Sequence, residues 1–198
     1  SGLAPGDYSE IVIAQDDPDL VYENAEITIN LTVTPAENDF AVNINFSDPA
    51  TAAPTDYLKD SGDPYGDRGN GFNYGWIDAG SNANADLTKN GRNRGVTGVD
   101  LLQNTIIHMQ YGNVSTNANN GYLPDAKWEI EVPNGTYLVT IGAGDPAVDG
   151  SADDTPSHDI SAEGVTIIDQ FVPTGPLGAS TRYTNGAAVV NVNDGRLT

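Results

Sequence analysis

Residues 26–35 read EITINLTVTP, with Ile27, Ile29, Leu31 and Val33 on one side of the alternation and Thr28, Asn30, Thr32 and Thr34 on the other. A period of two over eight residues predicts a half-buried strand, and Pro35 ends it because proline has no N–H for a ladder. DYSEIVIA before it and FAVNINFS (40–47) after it carry the same period. GVDLLQNTIIHMQ (98–110) predicts a short turn leading into a strand through Ile106 and Met109. AKWEIEVPNGTYLVTIGAG (126–144) predicts a hairpin: Trp128, Ile130 and Val132 alternate, PNG supplies the turn, and Tyr137, Val139 and Ile141 alternate again. GVTIIDQFV and GAAVVNVNDGRLT add strands, with NDG as a further turn. No stretch has the 3.6-residue period of a long amphipathic helix, and SNANADLTKNGRNRG (81–95) reads as a long polar loop. Eight or nine short strands with long loops predict an all-β fold, an antiparallel β-sandwich of jelly-roll type.

Composition sharpens this picture. Of 198 residues, 28 are Asp or Glu and 8 are Lys or Arg, a net charge of −20. Nucleic acid and anionic membrane surfaces each require a basic face, so neither is an expected partner. Asp outnumbers Glu 21 to 7, with 20 Asn beside them. Asp and Asn favour turns and caps where Glu propagates helices, which agrees with strands joined by loops. Asp-rich loops also suit hard cations with oxygen ligands, although excess Asp equally keeps a protein soluble. The absence of Cys removes disulfides, thiolate zinc sites and cysteine nucleophiles together. No apolar run approaches the roughly 18 residues of a membrane-spanning helix.

Two stretches concentrate candidate chemistry. DSGDPYGDRGNGFNYGW (60–76) holds three Asp, one Arg and five Gly. Asp60, Asp63 and Asp67 can wrap a calcium ion, or they can cap a run of Asx turns. Arg68 either pins the loop by pairing with one of them or receives an anionic ligand group. GDPAVDGSADDTPSHD (144–159) follows a strand and places Asp145, Asp149, Asp153, Asp154 and Asp159 in one connection. Five carboxylates so close repel one another unless a cation or solvent screens them, and calcium is the expected cation. His108 and His158 are the only histidines, no nucleophile-elbow pattern accompanies them, and no acid–base signature stands out. The expectation is a binding module and not an enzyme.

VNINFSDPATAAPTDYLKDSGDPYGDRGNGFNYGW, IIHMQ, AKWEIEVPNGTYLVTIGAGDP, EGV and NDGRLT occur in this order from about residue 41 to the end. In this the chain resembles malectin-like bacterial domains of the galactose-binding-type jelly-roll fold, most closely the calcium-dependent peptide-binding domains of RTX adhesins. The resemblance implies a secreted, cell-surface adhesin module. A calcium ion (Ca2+) there helps grip a short peptide by its free C-terminal carboxylate, whereas other malectin-like domains bind glycans. It implies a ligand face built from the 60–76 loop, from His108 to Gln110, and from Gly144–Asp145–Pro146. Asp67, Arg68, His108, Gln110 and Asp145 would contact ligand, and Tyr65, Phe72, Tyr74 and Tyr111 would supply a pocket for a side chain or pyranose ring.

One ligand-binding domain over residues 1–198 is expected, with residues 1–40 contributing N-terminal strands. Relatives continue past DGRLT with a returning strand, so the sandwich is expected either to be completed by residues 8–47 or to be split by an insertion. The segment 148–159 is longer and more acidic than its counterpart in many malectin-like domains, which favours an extra metal over a transferred sugar site.

Overall fold

A computed structural model of the chain describes residues 6–14, 25–33, 40–110, 121–122, 124–147 and 157–198. The chain packs as two compact units, residues 1–40 and 41–198. In the first, strands β1 (Gly6–Ala14) and β2 (Ala25–Val33) pair antiparallel from Gly6↔Val33 to Ala14↔Ala25. Both stretches are the strands that their alternation predicts.

Strands are almost the only regular elements of the second unit. Its first half holds β3 (Ile44–Phe46), β4 (Leu58–Asp60), β5 (Gly66–Asp67), β6 (Asn73–Asp78) and β7 (Gly91–Asn93). One helical turn, α1 (Leu101–Asn104), leads directly into β8 (Thr105–Ile107), as predicted. β9 (Ala126–Glu131), β10 (Gly135–Gly144), β11 (His158–Ala162), β12 (Val165–Phe171), β13 (Tyr183–Val192) and β14 (Arg196–Leu197) complete it. The largest sheet has four strands in the order β14-β9-β6-β5, all antiparallel. β10 pairs with β13, β11 with β12, and β7 with β8, also antiparallel, while β3 and β4 run parallel. The fold is all-β.

Residues 126–144 form two strands but no hairpin. β9 joins the four-stranded sheet, whereas β10 pairs with β13 over ten residues in another sheet. Their neighbours make the same crossing in reverse, since β13 lies on β10 and β14 on β9. PNG and NDG are therefore the two arms of one shared corner between sheets. Val132 N–H donates to the Gly195 carbonyl at 3.0 Å across it. The Asn134 side chain donates to the Asn193 carbonyl and accepts from Gly195 N–H at 3.0 and 2.8 Å.

The core gathers Trp76, Ala85, Leu87 and Ala126, with Phe46, Ile107, Met109, Tyr122 and Trp128 packed against them. Ala85 and Leu87 come from the stretch 81–95, which apart from β7 is the long loop that its polarity predicts, yet is seated in the core. Within the stretch Asn90 is also fully buried. Its amide donates to the carbonyls of His108 and Tyr122 and accepts from Tyr122 N–H. A few apolar and hydrogen-bonded positions anchor an otherwise polar segment, since buried polar groups are tolerated where every partner is present.

Candidate functional site

The glycine-rich stretch 60–76 turns its chemistry inward. Asp60 is 1% exposed. Its Oδ1 accepts from Trp76 Nε1 at 2.9 Å and from Gly62 N–H at 2.7 Å, and its Oδ2 accepts from Trp128 Nε1 at 2.9 Å. Arg68 completes the arrangement. Its guanidinium lies 3.9 Å from Asp60 Oδ2 and 3.7 Å from Asp63 Oδ2, donates to the carbonyls of Asp63 and Pro64, and stands over the Tyr74 ring. Burial pushes the Asp60 pKa up, opposed by the two indole N–H groups, Gly62 N–H and the Arg68 charge. Arg68 supplies the positive charge that a calcium ion between Asp60 and Asp63 would supply. The loop-pinning role is the one it takes.

Several expected ligand contacts change accordingly. Tyr74 is buried, its hydroxyl donating to the Lys59 carbonyl at 2.9 Å, so it lines the core and no ligand pocket. Asp67 is exposed, and its carboxylate caps Gly69 N–H at 2.8 Å. Tyr65 lies under the Arg196 guanidinium at 4.5 Å, and Arg196 in turn pairs with the buried Glu129 at 2.8 Å. Phe72 is half-buried. Gln110 donates to Asp125 Oδ1 at 2.9 Å.

A second cluster forms where the acidic connection begins. Asp145 receives Arg94 through both carboxylate oxygens, with Nε at 3.0 Å from Oδ1 and Nη2 against Oδ2. Asp145 Oδ1 also accepts from Ala147 N–H at 2.9 Å. The Asp145 backbone is held by Arg182, whose Nε donates to the Asp145 carbonyl at 2.7 Å and whose carbonyl accepts from Asp145 N–H. Gly144 is required here. With φ +130, its Cα stands so close to the Arg182 backbone that a Cβ would overlap the carbonyl oxygen.

His108 joins the group through Arg94, whose Nη2 lies 3.4 Å from His108 Nε2. A guanidinium has no acceptor, so His108 accepts there and is neutral with its proton on Nδ1. Burial and the adjacent Arg94 charge bring its pKa down to about 4, against the pull of Asp145. His158 is likewise shifted down by burial, with Asp145 and Asp159 opposing, and its ring stacks on Phe171 at 6.1 Å. Four residues far apart in sequence, Arg94, His108, Asp145 and His158, thus influence one another at the foot of the acidic connection.

Calcium takes 6–8 oxygen ligands. Among the described residues no three His, Cys, Asp or Glu side chains come together as a metal-holding group. Asp60 is shared by two indoles and Arg68, Asp63 faces Arg68, and Asp145 is chelated by Arg94. Asp159 is exposed and accepts from Gln170 N–H at 2.8 Å. Each of these carboxylates accepts hydrogen bonds or a cation from the protein itself. Asp149, Asp153, Asp154 and Tyr111 lie outside the described residues.

Sequence reasoning passed over the cations. Residues 88–104 and 171–183 together hold Lys89, Arg92, Arg94 and Arg182, four of the chain's eight Lys and Arg, against one acid, Asp100. The two segments meet beside the cluster: Gly178 N–H donates to the Pro146 carbonyl at 2.9 Å, and Gly178 abuts the side chains of Val96 and Val99. Half of the chain's cations thus lie on two segments beside Asp145, which itself neutralises Arg94. The signal was available in the sequence as a gap in the distribution of acids. Comparison with family models, curated proteins and solved structures finds no match to this chain.

Proposed function

We propose that residues 41–198 form a non-catalytic ligand-binding module of a secreted bacterial adhesin, which takes short peptides by their free C-terminal carboxylate. The observation that carries this reading is the gathering of four of the chain's eight cations on two segments beside Asp145. A strongly acidic protein repels an anionic ligand everywhere except where its own cations outnumber its acids. Lys89, Arg92, Arg94 and Arg182 offset part of that repulsion, in the same part of the chain as the HMQ and GDP segments on which the resemblance rests. Arg94 and Arg182 are tied to Asp145, which fixes their placement before a ligand arrives and lowers the entropy lost on binding.

Calcium in this reading is the ion that the resemblance implies, with the Asp-rich connection 144–159 as its source of ligands. The chemistry it would supply is a hard Lewis-acid contact to a carboxylate oxygen. The cations of residues 88–104 and 182 attract the same group at longer range.

Calorimetric titration of the 198-residue protein with short peptides tests the proposal, each peptide used with a free and with an amidated C-terminus, in calcium and in chelator. Binding that requires the free carboxylate supports it, and loss of that binding in chelator assigns calcium a direct part. Equal binding of free and amidated peptides, or no binding of any, overturns it. A glycan array then becomes the next experiment, because the resembling family also contains sugar binders.

A further inference from the structure

β10 and β13 are the only described strands longer than three residues without an Asp, Glu, Lys or Arg. They pair over ten residues with no shift of register, from Gly135↔Val192 to Gly144↔Tyr183. The pair has two unlike faces. Inward, Val190 and Val192 are buried, and Gly186 is pressed on Ile167 so closely that a Cβ would overlap the Ile167 carbonyl oxygen. Outward, Leu138 and Val189 are 72% and 62% exposed, the two most exposed of the large apolar side chains described. The register sets them directly opposite each other, so they share one surface. Thr136↔Asn191 and Thr140↔Ala187 flank them on the same exposed face.

The same pair leaves one edge open. Asp145 N–H donates to the Arg182 carbonyl at 3.1 Å, one step beyond Gly144↔Tyr183. Residues of an antiparallel ladder alternate between pairs that exchange hydrogen bonds and pairs that do not. The odd-numbered residues of β10 therefore bond to β13, and the N–H and C=O groups of Thr136, Leu138, Thr140 and Gly142 point away from it. Among the described residues β13 is the one strand paired with β10, and none of those outward groups has a main-chain partner. Open edges are ordinarily blunted by a charge, a proline or a bulge. β10 has none of the three.

We propose that β10 is the contact strand of a two-fold dimer, pairing edge to edge and antiparallel with β10 of a second copy. An open ladder is completed by an extended strand. Beside an uncharged strip that strand must itself be uncharged, because a charge seated there loses water without gaining a partner. β10 meets both conditions. With the axis at Leu138, Thr136 pairs with Thr140 of the partner subunit and Leu138 lies opposite its own copy. Val189, Leu138 and the same two residues of the second copy then form one apolar row across the joined sheet. Such a contact is self-complementary and closes at two subunits. Copies of net charge −20 repel at long range, but the meeting strands bring no like charges together at contact. The inference is independent of the peptide reading.

Sedimentation equilibrium of the 198-residue protein over a range of concentrations, at roughly 0.05 and 0.5 M salt, tests this. A monomer–dimer equilibrium is expected, and it should strengthen in the higher salt, where repulsion between the acidic copies is screened. Leu138→Lys should weaken dimerisation roughly tenfold or more although it lowers the net negative charge, because the ammonium group loses water without a partner. Thr140→Pro should do the same by removing an outward N–H that β13 does not use. Val165→Lys makes the same charge change at an exposed position of β12 and should dimerise at least as well as wild type. Unchanged thermal unfolding of the variants, at concentrations where wild type is monomeric, shows that folding is not the cause. A protein that stays monomeric at every concentration and salt overturns the second copy as occupant and leaves the edge to a foreign strand. Species larger than a dimer, or a dimer that both Leu138→Lys and Thr140→Pro leave intact, overturn it as well.

Discussion

Asp60 is the residue on which the largest single effect is expected. Its carboxylate accepts two indole N–H bonds and one backbone N–H in a site closed to water, next to the half-buried charge of Arg68. Asp60→Ala leaves all three donors and the guanidinium uncompensated. Breaking a buried pair from one side costs about 3–5 kcal/mol, and urea unfolding should show the midpoint fall accordingly with the slope unchanged. Asp60→Asn should recover only part of the loss, because the amide keeps one acceptor oxygen and turns a donor toward an indole or guanidinium N–H. A midpoint for Asp60→Ala close to wild type would mean that the arrangement around Asp60 is not what holds this region together. His108 is the counterpart for pH. Its folded pKa of about 4 lies below the ordinary value of 6.5, with Arg94, Arg92 and His158 disfavouring the imidazolium and Asp145 favouring it. As pH falls through 6.5 the unfolded chain takes up a proton that the folded protein refuses until about pH 4. Stability is therefore lost on acidification across this window, by about 3 kcal/mol for the full shift. His158 is shifted in the same direction and adds to the loss. His108→Gln should flatten the dependence between pH 6.5 and 4, read as unfolding free energy against pH; parallel curves for variant and wild type would refute it.

At the level of elements, the strands were legible and their partners were not. Alternation in 26–33, 126–132 and 137–141 marks strands because a sheet with one buried face imposes a period of two. That period is local, whereas pairing is decided between residues far apart. The stretch 126–144 satisfies a hairpin pattern and a corner pattern equally well, and the competing partners β13 and β14 lie some fifty residues onward. PNG does turn the chain, but Asn134 ties it to Asn193 and Gly195, not to a hairpin of its own. Residues 81–95 are the loop that their polarity predicts, β7 apart, but their hold on the core was not legible. Three buried positions, Ala85, Leu87 and Asn90, are too few to form a periodic signal, yet they seat the segment in the core. The candidate site was legible in part. His108 and Asp145 do come together, but their link is Arg94, and no spacing rule connects residues 94, 108 and 145. Asp60 and Arg68 looked like ligand groups because composition records charge without burial. Their partners are Trp76 and Trp128, and nothing in a linear reading brings two indole N–H groups to one carboxylate.

Over the whole molecule, charge distribution matters more than charge total. With a net charge of −20, an anionic ligand meets unfavourable potential on approach from most directions. The proposed reading brings the ligand to segments 88–104 and 171–183, which hold half of the cations, and Lys89 is exposed there. Lys89→Glu changes the local charge by two without touching the Arg94–Asp145 pair or Arg182. Affinity for a peptide with a free carboxylate should fall about tenfold at low ionic strength, mainly through slower association, because steering acts on the encounter. In roughly 0.5 M salt, where the screening length is only a few ångströms, the difference between variant and wild type should largely disappear. Lys127→Glu makes the same charge change on β9 of the four-stranded sheet and should leave binding where it was. Stopped-flow association rates of the two variants across a salt series separate the possibilities. If both lose the same amount, only net charge matters and these two segments have no special place. If Lys89→Glu alone is slowed and salt restores it, the anionic terminus is guided to them before any contact forms.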